Sequence, residues 1–286
     1  MVMFELWQYS FMQQALLAGV IVACLCPVVG LFLVVRRLAL IGDGLGHISF
    51  AGVAAGWLWG IYPIYTAALF TVFGAIAIEK LRERQQFADT ALAMIFYTGI
   101  ATAIILTSMV RTATTNLLGY LFGSIVTVSR QDVLVIAILA GVVLLILAAL
   151  YKELVYVSCD EEAARVNGLP VAMLNMLLAV LTALTVSVAM RVVGLLLVSA
   201  LMIVPVAASL QIARSFRGAL CWAVIFAQIS VLTGLGASFY FDLAPGGTIV
   251  LMGVGVFLIV CAGKAAFRAS YQTRSRQVSK VLGSRE

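Results

Sequence analysis

Apolar runs of membrane-crossing length follow one another along the whole chain. They are bounded by charged residues or by Gly/Pro turns. They fall at 12–35, 44–61, 63–79, 90–110, 132–151, 171–190, 193–211, 219–240 and 247–263. A helix that crosses the hydrocarbon needs about 20 apolar residues, so each run predicts one span. The total is nine, or eight if one segment is re-entrant. Strands do not compete, because a barrel strand alternates polar and apolar residues. The run 133–150 is apolar on every face, as a helix surrounded by lipid and protein would be. The pattern therefore predicts an all-α, polytopic integral membrane protein of about eight or nine transmembrane helices.

Composition agrees and removes the other classes. Of the 286 residues, 64% are hydrophobic and only 10% are charged. A soluble domain carries roughly 25% charged residues. Soluble, disordered and fibrous chains are excluded on that ground. Residues 1–263 are read as one membrane domain. The six Lys/Arg of 264–286 form a basic tail, expected to be disordered and to lie near anionic lipid.

Charge then sets orientation. If the tail is cytoplasmic, alternation puts 36–43, 80–89, 152–170 and 212–218 on the same side. With the tail, these stretches hold 15 Lys/Arg; the opposite side holds Arg111, Arg130 and Arg191. The positive-inside rule places the N-terminus outside and the C-terminus in the cytoplasm. No positively charged leader precedes the first run, since Glu5 is the only charge there, so no cleavable signal is expected. The five cysteines form no disulfide framework. Cys24 and Cys26, two apart, point to nearly opposite faces of a helix and are read as small packing residues.

Three features carry candidate chemistry. The first is Ile41-Gly42-Asp43-Gly44-Leu45-Gly46-His47, which contains the one histidine of the chain. Asp43 and His47 are four apart and share a helix face. Carboxylate with imidazole is a ligand set for Zn or Mn-like ions. Two ligands are few, and a twofold dimer would supply four. The competing reading is an Asp–His hydrogen bond with Asp43 capping the helix. The second feature is the polar stretch 152–170. There Ser158 with Glu161 makes a capping-box pattern, and Gly168 and Pro170 mark a stop. A short cytoplasmic helix is predicted over 159–167, carrying Asp160, Glu161, Glu162, Ala163 and Arg165. It is either a docking helix for a cytoplasmic partner or a solvated connector. The third is the near-loopless join at Arg191-Val192-Val193-Gly194, followed by Pro205 in the next run. Proline frees a carbonyl that only protein or a watery cavity can satisfy within a membrane. Gly194 and Pro205 are read as a packing kink or as part of a transport path.

No nucleotide-binding G-x-x-x-x-G-K-[ST] loop and no nucleophile–base pair is present, so the chain is not expected to be an enzyme by itself. No permanently bound cofactor and no nucleic-acid partner is expected.

Several of these residues together resemble the zinc/manganese permease subunits of bacterial ABC importers. They are Gly42-Asp43-x-x-x-His47 with Ala51-Gly52-Val53-Ala54, then Leu121-Phe122-Gly123-Ser124-Ile125. Val193-Gly194-Leu195 running on to Pro205, and Asp242-Leu243-Ala244-Pro245-Gly246-Gly247, complete the set. The resemblance covers roughly 10–262. It implies a fold like the vitamin B12-type permeases in a bacterial cell membrane. It also implies a permease homodimer, cytoplasmic ATPase subunits and an extracytoplasmic metal-binding protein. Asp43 and His47 would take the family's metal positions. The stretch around Asp160, Glu161, Ala163, Arg165 and Gly168 would take its ATPase-docking loop. Tyr120 to Ser129, and Asp160-Glu-Glu-Ala163 with Asn167-Gly-Leu-Pro170, resemble the zinc branch. The family usually has Ser before the histidine, and here it is Gly46. The alternatives are a partner-free metal or proton carrier and an ABC permease for a metal chelate.

Overall fold

Every apolar run closes into a helix, because a backbone in lipid must satisfy its own hydrogen bonds. The computed structural model describes residues 10–84, 88–110, 119–124 and 128–282. In chain order the helices are α1 (Ser10–Val35), α2 (Ile41–Trp59), α3 (Pro63–Arg84), α4 (Ala88–Met109) and α5 (Arg130–Ala149). The short α6 (Tyr151–Cys159) and α7 (Glu161–Val166) follow, then α8 (Val171–Val193), α9 (Val198–Ile212), α10 (Phe216–Phe241) and α11 (Pro245–Leu282). A single 3-10 turn, Leu195–Leu197, separates α8 from α9. There is no strand among the described residues. All nine expected spans fall on helices. Seven are long and apolar enough to cross a membrane. The other two are α9, with 15 residues, and α2, whose 19 residues include Asp43, His47 and five glycines.

Burial ranks the helices. In α1 and α8, 67% of the apolar window is buried, against 11% in α4 and α11. α1 packs on α5, α8, α9 and α10, and α2 packs on α3, α4 and α8. The polar, glycine-rich α2 is thus covered by protein over Ser49–Gly56 and most of its first two turns. Its glycines set the spacing: a Cβ on Gly52 would lie 2.7 Å from the Ala67 Cα on α3. One on Gly30 of α1 would lie 2.0 Å from the Met202 carbonyl oxygen on α9.

Two expectations are corrected. Ser158 does not cap a helix over 159–167. It lies in the last turn of α6, where its hydroxyl donates to the Leu154 carbonyl, 2.6 Å. Asp160 is the cap instead, accepting from the Ala163 amide at 2.9 Å. An ionised carboxylate at an N-terminus also meets the helix dipole, and this favours Asp over Ser at the boundary. Second, α11 runs on to Leu282, so the backbone of 264–282 is helical where the sequence reading expected disorder. That stretch contains no Gly or Pro after Gly263, so the propensity to continue the helix is not interrupted.

Candidate functional site

The first turn of α2 begins at Leu40 without a side-chain cap. Asp43 is therefore free of capping, and its carboxylate accepts a hydrogen bond from the Ser199 hydroxyl in the first turn of α9. His47 lies one turn on, half-buried, with its ring edge-on to Phe96 of α4 at 4.7 Å between centroids. Asp43 and Phe96 also line a cavity of about 290 Å³, together with Leu40, Leu92, Ala93 and Tyr97. Of the two readings of the pair, the capping role of Asp43 is absent. Its hydrogen-bond partner is Ser199, which no pattern in the sequence links to it. Among the described residues, no three His, Cys, Asp or Glu side chains gather into one cluster. One chain thus offers two such donors here.

The wall opposite Asp43 is the break between α8 and α9. Val193, Gly194, Leu195, Val198 and Ser199 are all buried, so this non-helical backbone lies inside the protein. A Cβ on Gly42 would meet the Ser199 hydroxyl at 3.2 Å, and one on Gly46 the Leu195 side chain at 3.0 Å. Gly46, where the resemblance led to Ser, keeps this approach close. Gly194 has φ +87° and Gly123 φ +78°, both in the region that favours glycine. A Cβ on Gly194 would sit 2.3 Å from the Gly123 nitrogen, and one on Gly246 would sit 1.9 Å from the Val193 oxygen. The backbones at 121–123, 192–194 and 246 therefore meet with no side chain between them. Pro205 is buried two turns into α9, and its neighbour Val206 packs with Leu31 of α1 and Ala219 and Ala223 of α10. Gly194 thus lies in the break, against Gly123, and Pro205 lies within α9.

Next to this junction sits a buried ion pair that sequence reasoning missed. Arg191, near the end of α8, reaches Asp132 in the first turn of α5 at 3.2 Å, with side-chain exposures of 15% and 1%. Asp132 also accepts from the Tyr62 hydroxyl and from the Ser129 amide and hydroxyl, the last two at 2.8 and 2.9 Å. The Arg191 guanidinium lies over the Tyr120 ring, 4.7 Å from its centre. One signal was legible: Ser129-x-x-Asp132 is a capping box. Burial and the hydrogen bond to Asp132 push the Tyr62 phenol up to about 12. Its folded pKa thus lies above the usual value of about 10. The neutral phenol therefore stabilises the fold fully below about pH 10, and that contribution is lost as pH rises through 12. Tyr62→Phe should cost about 1.5 kcal/mol at neutral pH, the low end for a hydrogen bond to a charged group. It should also flatten the fall in thermal stability between pH 10 and 12, read by thermal unfolding in detergent.

At the other end, α7 presents Glu161, Glu162 and Arg165 to the surface. Glu161 and Arg165 pair at 3.3 Å, an exposed contact worth little. Val166 is 87% exposed beside them, and Ala164 is the buried anchor. Gly168, φ +81°, ends the helix, with the Leu169 amide returning to the Ala164 carbonyl at 3.1 Å. Arg36, just past α1, donates to Ser158 at 2.9 Å and to Asn175 of α8 at 2.6 Å. Burial pulls the pKa of this guanidinium down; Arg82 adds to the shift, while Glu161 and Glu79 oppose it. Arg36 thus joins the α6–α7 corner to the chain that enters α2 five residues later.

The chain and its fold have known relatives. The model of the ABC 3 transport family matches residues 8–264. A protein of Treponema pallidum described as a "probable metal transport system membrane protein" is 36% identical, covering 89% of this chain and 96% of that one. The high-affinity zinc uptake system membrane protein ZnuB of Haemophilus influenzae is 29% identical, over 88% of this chain and 97% of its own. The manganese transport system membrane protein MntC of Halalkalibacterium halodurans is 32% identical, over 89% and 88%. Among solved structures, PsaBC from Streptococcus pneumoniae in complex with Fab superposes with a TM-score of 0.83 at 30% identity, covering 91% of this chain and 94% of that one. A structure described as "an inward-facing conformation of a putative metal-chelate type ABC transporter" shares the fold, with a TM-score of 0.70 at 17% identity over 88% and 86% of the two chains. These matches and the helical fold lead to one conclusion: the chain belongs to the ABC 3 transport family, as a membrane permease subunit and not an enzyme.

Proposed function

We propose that this chain carries divalent transition-metal ions into the cell as the permease of an ABC importer, with zinc as the first substrate and manganese the second. The observation that carries the reading is the Asp43 carboxylate and His47 imidazole one turn apart on α2, beside the break between α8 and α9, where Gly194, Leu195 and Ser199 are buried. Relatives named for zinc and for manganese stand at similar distances from this chain. Imidazole with carboxylate suits both ions.

Two donors per chain are too few for a tetrahedral site. In this reading a second copy, related by a twofold axis, supplies the other Asp43 and His47, and transport is alternating access between the two protomers. ATPase subunits dock on α7, where Glu161, Glu162, Arg165 and the exposed Val166 form a mixed polar and apolar face. Arg36 passes their movement to α2. An extracytoplasmic metal-binding protein delivers the ion at the opposite end, with the N-terminus outside and the basic C-terminal segment in the cytoplasm. A partner-free carrier has no use for a projecting α7.

The test is uptake of radioactive zinc and manganese by cells expressing the chain with its ATPase, with and without ATP depletion. Uptake of zinc above manganese that stops on depletion is the expected result. Uptake that survives depletion would replace the importer with a secondary carrier.

A further inference from the structure

α5 and α10 each pack on α1, but among the described residues they form no packed pair with one another. Where this gap reaches the end of the bundle there is a recess of about 590 Å³. That volume is within the range of ligand pockets, about 300–1,000 Å³. Ala148 and Ala149 close α5 with small side chains and leave the space open. Lys152, Arg217 and Leu220 line it, and so does Glu153. The Arg217 guanidinium is held over the Tyr151 ring at 5.7 Å. The Glu153 Oε2 atom is shielded from solvent and has no hydrogen-bond partner. A buried carboxylate oxygen ordinarily has a donor. Away from the recess, Val142 and Leu145 of α5 and Trp222 and Ile225 of α10 are exposed apolar side chains on the two flanking helices.

A recess with two cations, one unpartnered carboxylate and an apolar approach calls for a ligand with three matching parts. We propose that it binds a phospholipid with a primary ammonium headgroup, of the phosphatidylethanolamine type. The phosphate sits between Lys152 and Arg217, the ammonium donates to Glu153, and the acyl chains run along the α5–α10 gap. The basic end of the chain is where lipid phosphates lie. A choline headgroup has no N–H to donate to Glu153, and a glycerol headgroup carries no cation to pair with it. The inference does not depend on which ion the chain carries.

The test uses the purified full chain, delipidated in detergent, and native mass spectrometry with added phosphatidylethanolamine, phosphatidylcholine or phosphatidylglycerol. One ethanolamine lipid should be retained per chain, with roughly tenfold preference over the other two, the value of one charge-assisted hydrogen bond. Glu153→Gln should reduce that preference to nearly none. Lys152→Gln with Arg217→Gln should weaken ethanolamine and glycerol lipids alike. Ala149→Trp, which fills the recess without touching the charges, should remove the retained lipid while thermal unfolding shows the fold intact. Equal retention of the three lipids overturns the proposal, as does selectivity unchanged in Glu153→Gln. Free phosphoethanolamine binding as tightly as the lipid would also overturn it, because the acyl chains would then have no part.

Discussion

Asp43→Ala is expected to reduce ATP-driven zinc uptake at least about 100-fold while leaving the protein folded in the membrane. Altering groups that merely support a ligand costs about 10–100-fold in metal affinity or activity, so loss of a ligand should cost more. The variant removes the one negative charge that the first turn of α2 offers a dication. It leaves His47 as the lone donor on that helix. The structural loss is small, since Asp43 is only half-buried, lines a cavity and gives up one hydrogen bond from Ser199. Ser199→Ala separates the two roles. It keeps the carboxylate and removes the hydroxyl that positions it, so uptake should fall by a smaller factor than in Asp43→Ala. Equal losses in the two variants would mean that the Asp43–Ser199 contact matters as packing between α2 and α9. Near-normal uptake by Asp43→Ala would remove Asp43 from the path altogether.

Breaking the Asp132–Arg191 pair should have the largest effect on stability. Asp132→Ala leaves the Arg191 charge nearly buried against Tyr120 and removes the acceptor for Tyr62. Losing one partner of a buried pair costs about 3–5 kcal/mol. Thermal unfolding in detergent should show Asp132→Ala well below wild type. The double variant Asp132→Leu with Arg191→Met should recover most of the loss, because replacing both charges with apolar groups is often neutral. If the double variant is no better than the single one, the loss comes from the Ser129–Asp132 capping box and Tyr62 rather than from the buried Arg191 charge. The position gives the pair its consequence. Arg191 is three residues before Gly194, whose backbone touches Gly123, so the pair sits beside the point where α8 ends and the break begins.

Much of the fold was legible because lipid leaves the backbone few choices. An apolar run of sufficient length must be a helix, and all nine runs are. The polar stretch at 152–170 was legible as an exposed helix, though its cap was assigned to Ser158 when Asp160 holds it. Two acceptors stood within three residues of each other, and the Asp160 carboxylate, which also meets the helix dipole, is the one that caps α7. Asp43 and His47 were legible as a pair because four-residue spacing is a property of any helix. Ser199 was not: it lies 156 positions away, in a stretch with no polar pattern to mark it. Arg191 was counted as a loop charge, and its burial depends on Asp132 and Tyr120 arriving from other helices.

The sequence by itself determined that this is a helical membrane protein. It also determined where its apolar spans lie and which end is basic. Those properties follow from local composition and from the cost of an unsatisfied backbone in hydrocarbon. Only the tertiary structure decided that polar α2 is sheathed by α3, α4 and α8. It alone brought 123, 194 and 246 together backbone to backbone, and set Ser199 against Asp43. These are contacts between distant segments, fixed by how closely glycine faces let helices approach, and no periodicity within one helix encodes them.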